Sequence, residues 1–262
     1  MQDDRALLEL AARLARQAAA AILAVRDAGF AVDVKRDRTP VTEADRIAEA
    51  LIVEGLRAAT PDIPVVAEEE VEAGVATAAG ECFWLVDPLD GTRDFAAGGP
   101  GYAVNIGLVR GGVACLGAVA LPETGEVFGG VLGLGAWKEG GGEPARRPIA
   151  VRRVPRPEGL VVMAGSHAPG EAGPLERFLA GRQVAGIIRI GGAQKMLRVA
   201  EGVADVFPRF ARTREWDTAA PQAVLEAAGG SVTLWDSGGA PLRYGKPDWR
   251  NPGFLAVGGV AP

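Results

Sequence analysis

Five carboxylates stand out by position: Asp45, Glu68, Asp87, Asp90 and Asp217. Glu68 and Asp87 each follow directly on a short apolar run, Ile63 to Ala67 and Cys82 to Val86. Ends of strands in α/β proteins commonly carry the site. Between Asp87 and Asp90, Pro88 fixes one backbone angle, and Gly91 tolerates angles that other residues avoid. Such a segment can aim two carboxylates at one point, with the Leu89 carbonyl between them. Hard cations such as Mg²⁺ take oxygen ligands of this kind in near-octahedral geometry. Carboxylates crowded together without a cation push one another's pKa upward. A cation relieves that cost and turns the cluster into a phosphate site. Plainer readings stand beside this one. Asp-Pro and Asp-Gly pairs are common turn formers. Glu68-Glu69-Glu70 also reads as a solvated run, and Asp217 as a helix-start residue favourable to the dipole.

Three basic or titratable positions lie further along. His167 is the only histidine and follows Ser166 at the end of an apolar run. Lys195 falls in the first turn of a predicted helix. The helix dipole disfavours a cation there unless an anion binds beside it. Arg209 sits between Pro208 and Phe210, just after a predicted strand. Each of these residues alone reads as structural or solvated.

The elements that must position these residues follow from hydrophobic periodicity. Leu7, Leu8, Ala11, Leu14, Ala15, Ala18, Ile22 and Val25 predict a helix from about Asp4 to Arg26. A second helix begins near Thr42, where Thr42 and Asp45 form a capping-box pattern, and closes at Thr60-Pro61. Strands are predicted at 63–67, 82–86, 102–109, 113–120 and 126–132, with another around Trp137. Pro122-Glu123-Thr124-Gly125 marks a hairpin. Pro144, Pro148, Pro155 and Pro157 fall in 143–158 and suggest a boundary between an N-terminal α+β lobe, 1–150, and a C-terminal α/β lobe, 151–262. In the second lobe strands are expected at 160–164, 184–190, 204–207, 231–234 and 254–257. Helices are expected at 174–180, 194–201 and 217–228. This alternation argues for layered α/β architecture beside a hairpin-rich sheet.

The 262 residues are 48% hydrophobic, enough for one compact unit or two joined lobes. The net charge of -5 is spread along the chain, without a basic run. Nucleic acid polymers and anionic membranes are therefore poor partners. Cys82 and Cys115 lie apart in apolar stretches and read as free thiols. No apolar run reaches membrane-spanning length. A cytoplasmic setting is expected, with peripheral contact to the inner membrane left open.

Three motifs carry a resemblance. Glu68-Glu69, Trp84 to Thr92 (WLVDPLDGT) and Trp216 to Ala220 (WDTAA) occur in the order found in the inositol monophosphatase superfamily, and the likeness runs from about residue 5 to 257. It implies an αβαβα layered sandwich and two or three Mg²⁺ ions. It implies as metal ligands Glu68, Asp87, the Leu89 carbonyl, Asp90 and Asp217. Asp45 and Thr92 resemble the pair that activates the attacking water, and Glu69 a further acidic position beside the metals. Asp45 closes Thr39-Pro40-Val41-Thr42-Glu43-Ala44-Asp45, which resembles the Ser-Pro-Val-Thr-x-x-Asp of the 3'(2'),5'-bisphosphate nucleotidase branch. Ser166-His167, Gly191 to Lys195 (GGAQK) and Pro208-Arg209-Phe210 resemble that branch's site for the retained 5'-phosphate. Asn251-Pro252-Gly253-Phe254 is similar to its bacterial members. The implied substrate is a small phosphorylated nucleotide, adenosine 3',5'-bisphosphate or its 5'-phosphosulfate form. Glu68, Leu89, Asp90, Gly91, Thr92, Ser166, His167, Gly192, Lys195, Arg209 and Asp217 are the residues expected to contact it. Gly192 departs from the branch's usual serine. The alternatives are an inositol-1-monophosphatase or a sugar-bisphosphate phosphatase of the same superfamily and, in another class, a non-catalytic sensor that kept the fold. Monomer and homodimer both remain open.

Overall fold

In the computed structural model the described residues are 3–34, 40–152, 157–165, 172–235 and 237–259. The chain begins with α1 (Asp4–Ala28), whose first turn is capped by the Asp3 side chain. A short ribbon, β1 (Val32–Val34) and β2 (Pro40–Thr42), leads into α2 (Glu43–Ala59). The Thr42–Asp45 capping box forms as the spacing predicts. Next come β3 (Val65–Ala67), α3 (Glu68–Glu72), β4 (Cys82–Asp90) and α4 (Thr92–Ala96). Five strands then follow in meander: β5 (Ala103–Arg110), β6 (Val113–Leu121), β7 (Glu126–Val131), β8 (Gly135–Gly140) and β9 (Glu143–Ile149). The strand β9 occupies the start of the proline-marked stretch. The remaining elements are β10 (Leu160–Gly165), α5 (Ala172–Leu179), β11 (Val184–Ile190), α6 (Gln194–Ala200), β12 (Val206–Arg209), β13 (Thr213–Arg214), α7 (Ala219–Ala227), β14 (Ser231–Leu234), β15 (Arg250–Asn251) and β16 (Phe254–Val257).

Two sheets organise the molecule. A seven-stranded sheet runs from β3 to β9 in sequence order, and a five-stranded sheet has the order β11-β10-β12-β16-β14. In the first, β3 and β4 are parallel and every other pair is antiparallel. Side chains alternate across the strands, so each face builds its own core. Trp84 and Val86 join the core under α1 and α2, while Phe83 and Leu85 join the core shared with α6 and α7. The second core includes Met163, Phe207 and Phe254 of the five-stranded sheet, so apolar packing is continuous between the sheets. On the far side, Leu175 and Phe178 of α5 cover Val162, Ala164 and Val206. The layers are α1/α2, sheet, α6/α7, sheet and α5, the expected αβαβα sandwich.

A line of glycines sets the position of α7. Gly107, Gly117 and Gly130 stand opposite one another on β5, β6 and β7. A methyl group at Gly117 would lie 2.2 Å from the Ala220 carbonyl oxygen, and one at Gly130 would lie 2.8 Å from the Val224 Cα. The helix backbone therefore rests directly on the sheet, and Ala219, Ala220 and Ala223 keep its own surface small. That contact fixes where the chain just before α7, including Asp217, can reach. Among the described residues no helix is long and apolar enough to cross a membrane.

Candidate active site

Three elements deliver the carboxylates from the seven-stranded sheet side. The strand β4 does not stop before the acidic motif: it continues to Asp90, which pairs with Ala103 across an irregularity between Asp87 and Asp90. The expected turn is thus a kink within a strand. The Asp87 carboxylate accepts the Leu89 N–H at 3.0 Å, which fixes the kink from inside. Gly91 then takes φ +90°, and a methyl group there would meet the Gly101 carbonyl at 2.3 Å. Only glycine fits that junction. Glu68 and Glu69 open α3 directly after β3. Asp217 lies two residues before α7, and its carboxylate accepts the Arg214 N–H at 2.9 Å. The helix expected to start at Asp217 therefore starts two residues later, at Ala219.

These carboxylates act on one another. Burial, then the charges of Glu68, Asp90 and Asp217, hold the Asp87 carboxyl well above its usual range. Burial, Asp90 and Glu68 do the same to Asp217. Burial also raises Asp90, although Lys195, an N–H from Ala193 and Arg209 oppose it. Lys195 and Arg209 therefore stand close enough to the acidic group to feel it. Asp90, Asp217, Lys195, Arg209, Gly192 and Phe254 share one cavity of about 220 Å³.

The structure brings the second expected pair, Thr92 and Asp45, within hydrogen-bond distance. Thr92 opens α4, and its hydroxyl lies 3.2 Å from Asp45 Oδ1 and 3.0 Å from the Leu89 carbonyl. The other Asp45 oxygen accepts the Thr42 N–H at 2.7 Å and the Thr42 hydroxyl at 2.8 Å. Asp45 is buried, and its carboxylate joins the helix cap at Thr42 to the Thr92 hydroxyl.

On the basic side, Lys195 is buried in α6, donates to the Gly192 carbonyl at 2.5 Å and lies over the Phe207 ring. Gly192 adopts φ +56°, and a side chain there would come within 2.9 Å of the Gly101 carbonyl. Glycine is thus the residue this loop accommodates, which accounts for the departure from serine. Arg209 ends β12. Glu69 lines a neighbouring, larger cavity of about 1010 Å³ with Glu49, Arg46 and Arg214. Ser166 and His167 lie outside the described residues.

Glu49 was not singled out by the sequence reading. Glu49 accepts the N–H groups of Glu69 at 2.7 Å and Glu70 at 2.9 Å, tying α2 to the start of α3. Burial, against those hydrogen bonds, lifts its carboxyl to about 7. Its signal was present: it sits four residues after Asp45, on the same face of a predicted helix.

The donor set suits a hard cation in its chemistry. It consists of oxygen ligands only, and they destabilise one another as anions. Asn105, opposite Asp87 on β5, is fully buried with both polar side-chain atoms unpartnered. A polar site beside Asp87 accounts for an amide placed there. Among the described residues no three His, Cys, Asp or Glu side chains form a ready-made ion cage.

Known proteins place the chain. The inositol monophosphatase family matches residues 3–258. The 3'(2'),5'-bisphosphate nucleotidase CysQ of Escherichia coli O157:H7 is 41% identical over 251 residues, 95% of this chain and 98% of that protein. CysQ of Buchnera aphidicola is 34% identical over 96% of this chain and 94% of its own. Among solved structures, CysQ from Bacteroides thetaiotaomicron superposes with a TM-score of 0.79 at 32% identity, covering 98% of each chain. Inositol monophosphatase from Anabaena gives 0.75 at 26%, covering 97% of this chain and 91% of its own. The chain belongs to the inositol monophosphatase family, in the branch of the CysQ bisphosphate nucleotidases.

Proposed function

We propose that this phosphatase is a Mg²⁺-dependent 3'(2'),5'-bisphosphate nucleotidase that removes the 3'-phosphate of adenosine 3',5'-bisphosphate, with the 5'-phosphosulfate form as a related substrate. The observation that carries the reading is the shared cavity, lined by the carboxylates Asp90 and Asp217 together with the cations Lys195 and Arg209. A simple monophosphate needs one anion site, whereas a bisphosphate needs two. The likeness to the CysQ nucleotidases supports the same choice.

Glu68, Asp87, the Leu89 carbonyl, Asp90 and Asp217 would hold two or three Mg²⁺ ions. Bound there, the ions offset the carboxylates' repulsion, screen the phosphate's charge and make water more acidic. The chain's own residues do the rest. With its proton directed to Asp45, the Thr92 hydroxyl offers a lone pair to the attacking water. As that water attacks phosphorus in line, its proton passes to Thr92 while the Thr92 proton passes to Asp45. Asp45 is suited to this because one of its oxygens lies within reach of the Thr92 hydroxyl while Thr42 holds the other. Lys195 and Arg209 bind the phosphate that stays on the product. In this reading residues 1–150 carry most of the metal ligands. Residues 151–262 select the substrate and add Asp217.

A panel at fixed Mg²⁺ tests the proposal. Adenosine 3',5'-bisphosphate should give a higher kcat/KM than inositol 1-phosphate or fructose 1,6-bisphosphate. Preference for either of the latter would assign the site to that substrate class.

A further inference from the structure

Away from the cavity, four charged side chains meet between the seven-stranded sheet and α6. Glu126 of β7 and Glu201, just after α6, are the anions, and Lys138 of β8 and Arg198 of α6 are the cations. Arg198 donates to Glu126 at 2.6 Å and to Glu201 at 2.5 Å. Lys138 donates to Glu201 at 2.9 Å and pairs with Glu126. Both cations lie over the Phe128 ring. Arg147 of β9 reaches Glu201 at 3.8 Å from a more open position. Glu126 and Glu201 keep only 9% and 4% of their side-chain surface exposed. Such a cluster is a poor source of stability, because apolar residues of similar volume do as well. The best-attested use of such a cluster is to fix the register in which two elements meet.

The register concerned is that of the helix carrying Lys195. Arg198 lies three residues after Lys195, so the two project from neighbouring positions on one face of α6. The start of α6 is tied separately, through Gln194 to the Pro100 carbonyl at 2.9 Å. With one end pinned to the loop before β5 and the other to β7 and β8, the rotation of α6 is fixed. The Lys195 ammonium is fixed with it.

We infer that Arg198, through its bridge to Glu126, is a positioning residue that sets the Lys195 ammonium for the second phosphate of the substrate. This rests on the nucleotidase reading for the identity of that phosphate. Arg198 touches no reacting atom, so its loss should act on binding and leave the chemical step alone.

The test uses Arg198→Met and the charge-balanced pair Glu126→Gln/Arg198→Met, which leaves Lys138 and Glu201 matched in case the single variant folds poorly. The balanced variant should keep its urea midpoint and raise KM for adenosine 3',5'-bisphosphate about tenfold, with kcat and the KM for inositol 1-phosphate changed less than about twofold. In a Lys195→Met background the same change should add less than about twofold, because two residues acting through one contact are not additive. A folded variant with unchanged KM, with equal losses on both substrates, or with the full loss retained in the Lys195→Met background overturns the inference. Failure of the nucleotidase reading looks different: the wild-type protein would show no preference for the bisphosphate. The Lys195→Met cycle is then read on the phosphomonoester hydrolysed best, and non-additivity there still supports the positioning role while additivity overturns it.

Discussion

Two buried groups of charge lie on the same sheet and are solved in opposite ways. Around Asp87 the carboxylates face one another, and burial plus like charge drives Asp87 and Asp217 well above the usual range. Around Glu126 burial acts in the same direction, but hydrogen bonds from Arg198 and Lys138 overcome it and hold the carboxyl at about 2. The first group is incomplete as a set of charges, while the second is closed. Perturbed carboxylates that repel one another mark a candidate functional site, whereas a fully satisfied polar network rigidifies the elements it joins.

The contrast breaks most sharply at Asp90. Asp90→Asn should lower turnover by about three orders of magnitude at physiological Mg²⁺ while stability without metal holds or rises, since one repelling charge is gone. Phosphate release and thermal melting read the two halves of that statement. Near-normal turnover would remove Asp90 from the site.

The closed cluster should behave in reverse. Glu126→Ala leaves Arg198 and Lys138 with too few partners and should cost about 3–5 kcal/mol in urea unfolding, with kcat nearly intact. A small stability loss would show the cluster to be loosely held. Gly117→Ala tests the link between the regions, because it pushes α7 off the sheet. It should cost about 1–3 kcal/mol and also depress turnover by displacing Asp217. A stable, fully active variant would show that the close approach does not set the site.

Acid sharpens the comparison with a smaller effect. The Glu126 carboxyl is depressed in the folded state, so its stabilisation is complete above the ordinary value of about 4.3 and is lost as pH falls toward about 2. Urea midpoints measured across that window should fall more steeply for the wild type than for Glu126→Gln/Arg198→Met. Parallel curves would mean that Glu126 is not the titrating group.

Much of this was legible in the residues. The long helices were readable because their apolar stripes and the Thr42–Asp45 capping box are local signals. Strands 184–190, 231–234 and 254–257 match their predicted spans. The helices α3 and α4 were not foreseen, since five residues are too few to show a period. The ribbon of β13 and β15 joins positions far apart in sequence through two-residue strands. Glu49 and the Glu126 cluster were missed for a related reason. A charged residue in an apolar stripe is visible, but its partner lies on another element. The acidic motif carried its own location, while the reason Gly192 is glycine emerged only from the loop's φ and the nearby Gly101 carbonyl.

In the proposed function the carboxylates perform the chemistry, and Lys195 and Arg209, which line the same cavity as Asp90 and Asp217, choose the substrate. The most direct measurement is the ratio of kcat/KM for adenosine 3',5'-bisphosphate to that for inositol 1-phosphate, in wild type and Lys195→Ala. The ratio should fall by about tenfold or more in the variant, because a charge-assisted contact to the second phosphate is lost. An unchanged ratio, with both substrates slowed equally, would contradict it.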